Sequence, residues 1–330
     1  MSVDVNTRVL QASAEAAETA AECLAAGGLV AFPTETVYGL GADARNSEAV
    51  ARLYAAKGRP SFNPLIAHVA TLSIARRLAV FDAAAEKLAQ TFWPGPLTLV
   101  LRKQPGCPVS DLATAGLDSI ALRVPSHAFA RDLLLAFGEP VVAPSANRSG
   151  HVSPTRAEHV LADLCGVVDL VIDGGATEVG VESTIVACLN TPTLLRPGGL
   201  ARGQIERVLG ARLISGVETT TTDDDEAPLA PGMLRSHYAP QTRLRLNATD
   251  VGPDEALLAF GMQLAPGAAA ARRVFNLSKR GDLIEAAANL FSHLRALDAV
   301  GATRIAVMPV PREGLGEAIN DRLQRAAAPQ

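Results

Sequence analysis

Short apolar runs alternate with segments of helical periodicity over the first two thirds of the chain. Helices are predicted where apolar residues recur on one face, at residues 47–57, 83–92, 129–137 and 157–163. Strands are predicted at the short apolar runs 29–32, 65–69, 97–101, 120–124, 141–143, 170–172, 185–187 and 193–195. Some strands follow one another after short turns, so a mixed twisted sheet with flanking helices fits better than a strict alternation of strand and helix. The predicted fold class is therefore α/β, of the α+β kind.

The pattern breaks at residues 219–228, a run of threonine, aspartate and glutamate that ends in Ala-Pro. Such a polar, acidic tract has nothing to bury, so it predicts a linker. Beyond it, a smaller unit is predicted. Its four strands are expected at residues 243–246, 256–260, 273–277 and 304–310, and its two helices at 282–298 and 315–326. We divide the chain into a first domain at 1–215, a linker at 216–240 and a small Rossmann-like α/β domain at 241–330.

Composition narrows the class of protein. The 330 residues are 48% apolar and 19% charged, which is typical of a globular protein with more than one domain. The net charge of −4 provides no general basic field for nucleic acid, so any basic site is local. The four cysteines are scattered, so neither a disulfide framework nor a zinc site is expected. No apolar run approaches the ~20 residues that cross a bilayer, and we expect a cytoplasmic protein without membrane contact.

The tract PTETVYGLG at residues 33–41 ends the first predicted strand with small polar residues and glycines. Pro33 lacks a backbone donor, so the strand ladder is interrupted where Thr34, Glu35 and Thr36 could face a ligand. Taken alone, the tract fits a polar turn followed by a glycine-rich connection slightly better than a binding edge. Its Gly-x-Gly pair is a poor dinucleotide fingerprint, because no helix is predicted to begin there.

Four cations lie where predicted elements end. Lys57 ends the helix at 47–57 and Arg59 follows it, whereas Arg123 and Arg196 end two apolar strands. Helix-end cations are usually structural, but an arginine that borders a buried strand needs an anionic partner. No acidic residue is adjacent to these arginines in sequence, so the partner is either a distant carboxylate or an anionic ligand.

Hydroxyl and amide groups also border predicted strands: Ser145 and Asn147 follow the strand at 141–143, and Ser183 leads into the strand at 185–187. Each is most simply a turn or a cap, but with the four cations they predict a concave basic pocket for a polyanion. His68 lies on a predicted strand, where a satisfied core histidine is commoner than a ligand contact. The sequence has neither a Walker-type phosphate loop nor a Gly-x-Ser-x-Gly elbow, so catalysis would rest on positioning reactants and neutralising charge.

Eight short motifs span nearly the whole chain. They are PTETVYGLG (33–41), KGRP (57–60) with NPL (63–65), WPGPLT (93–98), ALRVP (121–125), APSAN (143–147), GVEST (180–184), LRPG (195–198) and HYAP (237–240). Together, and in this order, they resemble the YrdC-type threonylcarbamoyl-AMP synthases in the long form, which carries an additional C-terminal domain.

The resemblance implies that L-threonine, bicarbonate and ATP are converted to threonylcarbamoyl-AMP and pyrophosphate. A separate threonylcarbamoyl transferase complex would then modify the adenosine beside the anticodon of certain tRNAs, and only weak direct binding of tRNA is expected. Mg²⁺ is expected to arrive with ATP, without a metal site made by the protein alone. The carbamate of threonine would attack the α-phosphorus, with the developing charge met by Lys57, Arg59 and the metal.

The resemblance also assigns residues to the site. By similarity, the catalytic residues are Lys57 and Arg59. The threonine side is assigned to Thr34, His68, Arg123 and Ser183. The nucleotide side is assigned to Lys57, Arg59, Asn63, Ser145, Asn147, Ser153, Arg196 and Tyr238. The linker is expected to bring Tyr238 to the active site and to act as a gate, while the motif at 93–96 is interpreted as a structural turn.

Two other functions are weighed against this one. An RNA-binding module of tRNA or rRNA maturation, without adenylation activity, would also use a concave basic surface. The acidic net charge and the lack of aromatic stacking tracts count against it. The carbamoyl-transferring hydrogenase-maturation branch shares this domain but carries zinc-binding cysteine pairs, which this sequence lacks.

Overall fold

The computed structural model describes residues 6–215 and 238–328, which form two sheets with helices packed against them. In chain order, the strands of the first sheet are β1 (Arg8–Gln11), β2 (Val30–Phe32), β3 (Gly39–Asp43), β4 (Ile66–His68), β5 (Leu97–Arg102), β6 (Ser119–Arg123), β7 (Val141–Val142), β8 (Leu170–Asp173), β9 (Thr184–Ala187), β10 (Thr193–Arg196) and β11 (Ile214–Ser215). The helices of this part are α1 (Ala14–Ala25), α2 (Ser47–Lys57), α3 (Leu72–Leu78), α4 (Ala83–Phe92), α5 (Ala128–Phe137), α6 (Ala157–Leu164) and α7 (Arg202–Leu209).

The second sheet belongs to a smaller C-terminal unit. Its strands are β12 (Leu244–Arg245), β13 (Ala256–Ala259), β14 (Val274–Asn276) and β15 (Ile305–Val307). Its helices are α8 (Leu283–Asp298), α9 (Gly316–Ala327) and a 3₁₀ turn at Ala268–Ala270. The described strands of this sheet pair only in parallel, in the order β12-β15-β13-β14.

The first sheet is mixed, with strand order β1-β8-β2-β3-β7-β4-β6-β5-β9-β10-β11. It contains parallel pairs, such as β4 with β6, and antiparallel pairs, such as β2 with β3. The predicted α/β class, with a mixed sheet and flanking helices, is confirmed. The division at residues 1–215, 216–240 and 241–330 stays a prediction, and residues 216–237 lie outside the described part of the chain.

Helices with strong end signals agree well with the sequence prediction. Helix α2 begins after Asn46, whose side chain accepts from the Glu48 and Ala49 amides, and ends at Gly58 in the left-handed conformation. Asp282 caps α8 in the same way. These two helices match the sequence prediction because a local cap fixes each start and a periodic apolar face fixes the length.

Strand β3 corrects the prediction of a glycine-rich connection after residue 38. Gly39–Asp43 pairs with β2 on one side and β7 on the other, and all five residues are buried. A Cβ at Gly41 would lie 2.9 Å from the Phe32 ring and 3.1 Å from Val141. Glycine is therefore a packing requirement inside a strand here, rather than a turn signal.

The two units share an apolar core. Val37, Val152 and Val181 of the first unit pack into the cluster built around Leu290 and Phe291 of helix α8. Gly180, with φ of +75°, lies so close to α8 that a Cβ there would be 2.4 Å from the Ala287 carbonyl oxygen. The C-terminal unit is therefore packed directly on the segment that precedes β9.

Among the described helices, none combines the length and the apolar character that a membrane span requires. This finding covers residues 6–215 and 238–328.

Candidate active site

One pocket lies where several strands of the first sheet end and the C-terminal unit approaches. Parallel pairing of β4 with β6 places His68 directly beside Arg123, because both end their strands. Seven of the predicted site residues line this pocket, namely Arg59, His68, Arg123, Ser145, Ser183, Arg196 and Tyr238. The other five are absent from its described lining, namely Thr34, Lys57, Asn63, Asn147 and Ser153.

Arg123 has a protein carboxylate as its partner. Its Nη2 lies 2.7 Å from Oε1 of Glu35, and both side chains are 5% exposed. The distant carboxylate allowed by the sequence thus comes from the tract at 33–41. Burial alone would raise the pKa of Glu35, but the adjacent charge of Arg123 outweighs it, so the pKa is below its ordinary value. Sequence reasoning placed Glu35 at the binding edge but did not assign it a role.

His68 is both a hydrogen-bonded core histidine and a residue of the pocket lining. Its ring Nδ1 lies 3.2 Å from the Ile66 carbonyl oxygen, as expected for a satisfied core histidine, yet the side chain also lines the pocket. Burial, followed by the charge of Arg123, lowers the pKa of His68 to about 3. The imidazole is therefore neutral near pH 7, where it presents a polar contact without adding a charge.

Arg59 enters the pocket from the end of α2. Its guanidinium donates to the carbonyl oxygens of Asn63, at 3.3 Å, and Pro64, at 3.0 Å. The Tyr54 hydroxyl donates to the same Asn63 carbonyl at 3.0 Å, so the turn is held from two sides. Burial lowers the pKa of Arg59 to about 10, which still leaves a cation near pH 7. Asn63 itself acts through its backbone; its buried Oδ1 has no partner among the described residues.

The side chain of Lys57 is hydrogen-bonded to two backbone carbonyl groups. Its ammonium donates to the carbonyl oxygens of Ser145 and Asn147, which fixes the loop after β7. Burial places the pKa of Lys57 well below its ordinary value. Lys57 therefore supports the loop that carries Ser145 into the pocket, and its predicted catalytic role stays a prediction.

Replacing Lys57 tests that support. We expect Lys57→Met to lower the free energy of unfolding by about 1–3 kcal/mol, because two carbonyl oxygens in the interior lose their hydrogen-bond donor. Lys87→Met is the matched control, since Lys87 is an exposed lysine on helix α4. It should change the free energy by no more than about 0.5 kcal/mol. Urea denaturation measures both, and equal effects would contradict the assignment.

The segment before β9 supplies the opposite wall. The Ser183 hydroxyl shares a hydrogen bond of 2.8 Å with Thr98, and Nη2 of Arg196 donates to the Ser183 carbonyl oxygen at 2.9 Å. The Ser153 hydroxyl donates to Oε1 of Glu182 at 2.5 Å, so Ser153 acts from behind the wall. Glu182 lines the pocket and was missed, although it lies within the recognised GVEST motif.

Thr34 also acts from behind the lining. Its Oγ1 shares a hydrogen bond of 2.9 Å with Thr36 and donates to the Val37 carbonyl oxygen at 2.6 Å. Thr36 and Val37 are the residues that line the pocket. The tract at 33–41 is thus a pocket edge as well as a turn, with Thr34 holding its shape.

Tyr238 closes the pocket on the side of the C-terminal unit. Its side chain is 1% exposed, and its ring stacks on Phe291 with centroids 5.6 Å apart. The Ala239 amide donates to the Gly150 carbonyl oxygen at 2.8 Å, which ties the returning chain to the first unit. His237 and the rest of the predicted gate at 216–237 lie outside the described residues.

Comparison with known proteins identifies the family. The family model Sua5–YciO–YrdC, described as telomere recombination, matches residues 22–198. A second model, described as the threonylcarbamoyl-AMP synthase C-terminal domain, matches residues 200–328. The chain belongs to the Sua5–YciO–YrdC family. The two matches together make it a long-form Sua5 enzyme, as the motifs predicted.

Individual relatives agree with this membership over most of their length. The threonylcarbamoyl-AMP synthase of Bacillus subtilis is 41% identical, over 91% of this chain and 89% of that protein. The synthase of the same name from Pyrococcus abyssi is 43% identical, over 91% of each chain. The crystal structure of P. abyssi Sua5 complexed with L-threonine superposes with a TM-score of 0.86 at 38% identity, covering 98% of this chain and 97% of that one.

Proposed function

We propose that this Sua5-family enzyme makes threonylcarbamoyl-AMP, pyrophosphate and water from L-threonine, bicarbonate and ATP. The observation that carries the proposal is the convergence of three buried guanidinium groups, those of Arg59, Arg123 and Arg196, on one pocket. A pocket with three cations suits substrates that bring a carboxylate and a triphosphate. The P. abyssi relative, whose structure is described as a complex with L-threonine, supports the same substrate here.

We assign the threonine side to Arg123, with His68 and Ser183 next to it. The described contacts of Arg123 involve Nη2, with Glu35, and Nε, with the Gly95 carbonyl oxygen at 3.4 Å. Its Nη1 is the donor we assign to the threonine carboxylate. Glu35 keeps the guanidinium oriented, and neutral His68 contributes a polar contact without repelling the cation.

We assign the nucleotide side to Arg59, Arg196 and Ser145. In the proposed step, an oxygen of the threonine carbamate attacks the α-phosphorus and forms a new P–O bond, while pyrophosphate leaves with the electrons of the broken bond. Arg59 and Arg196 neutralise charge on the phosphates during this displacement. Lys57 would contribute indirectly, by holding the loop that carries Ser145. Indirect roles are also proposed for Asn63, Asn147 and Ser153, which hold neighbouring turns and side chains in place.

Mg²⁺ is proposed to accompany the nucleotide. Among residues 6–215 and 238–328, no three histidine, cysteine, aspartate or glutamate side chains gather as a metal site. Glu182, which lines the pocket, pairs with Arg322, and Glu35 pairs with the lining residue Arg123. These groups fit an ion that is held mainly by the phosphates, as is common for Mg²⁺. When bound, the ion would neutralise phosphate charge beside Arg59 and Arg196.

The product and the compartment follow from the same proposal. Threonylcarbamoyl-AMP would pass to a separate transferase complex that modifies the adenosine beside the anticodon of tRNA. We propose that the enzyme works in the cytoplasm and binds tRNA at most weakly itself, since the net charge of −4 provides no general attraction.

A three-substrate assay tests the proposed function. Pyrophosphate release from ATP is expected only when L-threonine and bicarbonate are both present, because the carbamate is the nucleophile. Each substrate is left out in turn while pyrophosphate is measured. Full turnover with either one omitted would overturn the proposal. Tight tRNA binding without any pyrophosphate release would instead favour an RNA-binding module.

A further inference from the structure

A single guanidinium of the C-terminal unit reaches three segments of the pocket wall. Arg322, on helix α9, is fully buried. Its Nε donates to Oε2 of Glu182 at 2.7 Å, and its Nη2 donates to the Pro197 carbonyl oxygen at 3.0 Å. Its Cζ lies 5.1 Å from the centroid of the Tyr238 ring, within the range of a cation–π contact. Arg322 thus contacts the wall without lining the pocket itself.

These contacts fix groups that do face the pocket. Glu182 and Tyr238 are lining residues, and Pro197 directly follows the lining residue Arg196. Both carboxylate oxygens of Glu182 are occupied, one by the Ser153 hydroxyl and the other by Arg322. A buried carboxylate held at both oxygens has one orientation and remains ionised beside its cation. The position of Glu182 therefore depends on a residue 140 positions later in the chain.

We propose that Arg322 is a positioning residue through which the C-terminal unit completes the active site. It holds Glu182, Tyr238 and the segment after Arg196 in the arrangement that receives the substrates. The pocket is then complete only while α9 is docked on the first unit. This inference rests on the proposed function for its kinetic readout, but it makes a separate prediction for ligand binding.

A second ion pair of the same helix provides the comparison. Glu317 of α9 pairs with Arg202 of α7 at 2.6 Å, and this pair also joins the two units. Arg202 and Glu317 are 27% and 31% exposed, and neither lines the pocket. If α9 contributed only by docking, removing either arginine would have similar consequences. If Arg322 positions the wall, only its own replacement affects substrates.

The test compares Arg322→Met, Arg322→Lys and Arg202→Met in the full chain. We expect Arg322→Met to lower kcat about 100-fold and to raise KM for ATP, because small displacements of positioning groups cost that much. We expect Arg322→Lys to recover about tenfold of the loss, since it keeps a cation beside Glu182. Arg202→Met should stay within about twofold of the wild type, as a partly exposed ion pair contributes little. Arg322→Met and Arg202→Met with matching kcat and KM would overturn the inference.

A double variant separates positioning from loss of folding. Arg322→Met leaves the Glu182 charge buried without its main partner, whereas Glu182→Gln removes that charge. Combining the two should cost little more than Arg322→Met alone, because both act on one interaction. Thermal unfolding of each variant verifies that the kinetics refer to folded protein. Fully multiplicative losses in folded protein would contradict an action through Glu182.

Direct binding distinguishes this inference from the proposed function. Should the wild type release no pyrophosphate, the proposed function fails while ATP binding by calorimetry still tests Arg322. We expect Arg322→Met to weaken ATP binding about tenfold, the loss typical of one charged interaction, and Arg202→Met to leave it unchanged. Equal ATP affinities for these two variants would overturn the inference in that case.

Discussion

Arg123→Met is expected to abolish threonine-dependent pyrophosphate release and to lower the free energy of unfolding by about 3–5 kcal/mol. The variant keeps most of the side-chain volume but removes the cation assigned to the threonine carboxylate. It also leaves Glu35 buried without the partner that lies 2.7 Å away in the wild type. Steady-state kinetics with varied threonine, together with urea denaturation, measure the two effects.

The pH dependence of this loss has a defined sign. Arg123 holds the pKa of folded Glu35 below its ordinary value, so the pair stabilises the wild type above about pH 4.3. This stability is lost as the pH falls through the lowered pKa. In Arg123→Met the largest remaining influence is burial, which raises the pKa of Glu35 and makes its charge destabilising at neutral pH. The stability gap between the two proteins should therefore narrow from pH 7 towards pH 4.

Arg77→Met is the control for this experiment, because Arg77 is an exposed arginine of helix α3. It should retain full activity and change stability by no more than about 0.5 kcal/mol. A gap for Arg123→Met that widens at acidic pH would mean that Glu35 is not the partner responsible.

Gly198→Ala is expected to reduce activity about 100-fold through a shift of the pocket backbone. A Cβ at this position would lie 2.3 Å from the Glu182 carbonyl oxygen, 2.4 Å from the Ser183 carbonyl carbon and 2.5 Å from the Thr184 amide nitrogen. Backbone atoms cannot rotate away as a flexible side chain can, so the two segments must separate. We also expect a destabilisation of about 1–3 kcal/mol, typical of overpacking. Pyrophosphate release and urea denaturation provide the two measurements.

Gly203→Ala is the matched control for Gly198→Ala. Gly203 is an exposed residue of helix α7, and a Cβ there would have no atom within 4 Å. Alanine should stabilise this helix by about 0.5–1 kcal/mol and leave activity unchanged. Unchanged activity in Gly198→Ala would show that the spacing between residues 182–184 and 198 does not control the site.

Local signals explain how much of the fold could be predicted. Helix α2 has a side-chain cap at Asn46 and a left-handed glycine at its end, and both are visible in the sequence. Helix α7 was not predicted, since Ile205 is its one buried residue and its start has no side-chain cap hydrogen bond. The sequence predicts a connection in place of strand β3 because two glycines usually mark turns, whereas Phe32 and Val141 leave no space for a side chain at Gly41.

For the site, too, local sequence identifies single residues but not the contacts between residues that are far apart in the chain. Arg123 and Arg196 could be found because a cation at the end of an apolar strand is unusual. The ion pair between Arg123 and Glu35 could not be inferred from spacing, since 88 positions separate the two residues and only the sheet order brings them together. Arg322 had no local signal, because on its own helix it resembles any arginine of an amphipathic face.

The apolar cluster shared by the two units also couples their thermodynamics. Val37, Val181 and Tyr238 touch the pocket or flank its lining, and they pack in the same cluster as Phe291 and Leu290 of α8. A ligand that binds the folded state adds its binding free energy to the stability of everything that unfolds together with the site. Occupancy of the pocket should therefore slow local opening of helix α8, so that the stability of the C-terminal unit depends on whether substrate is bound.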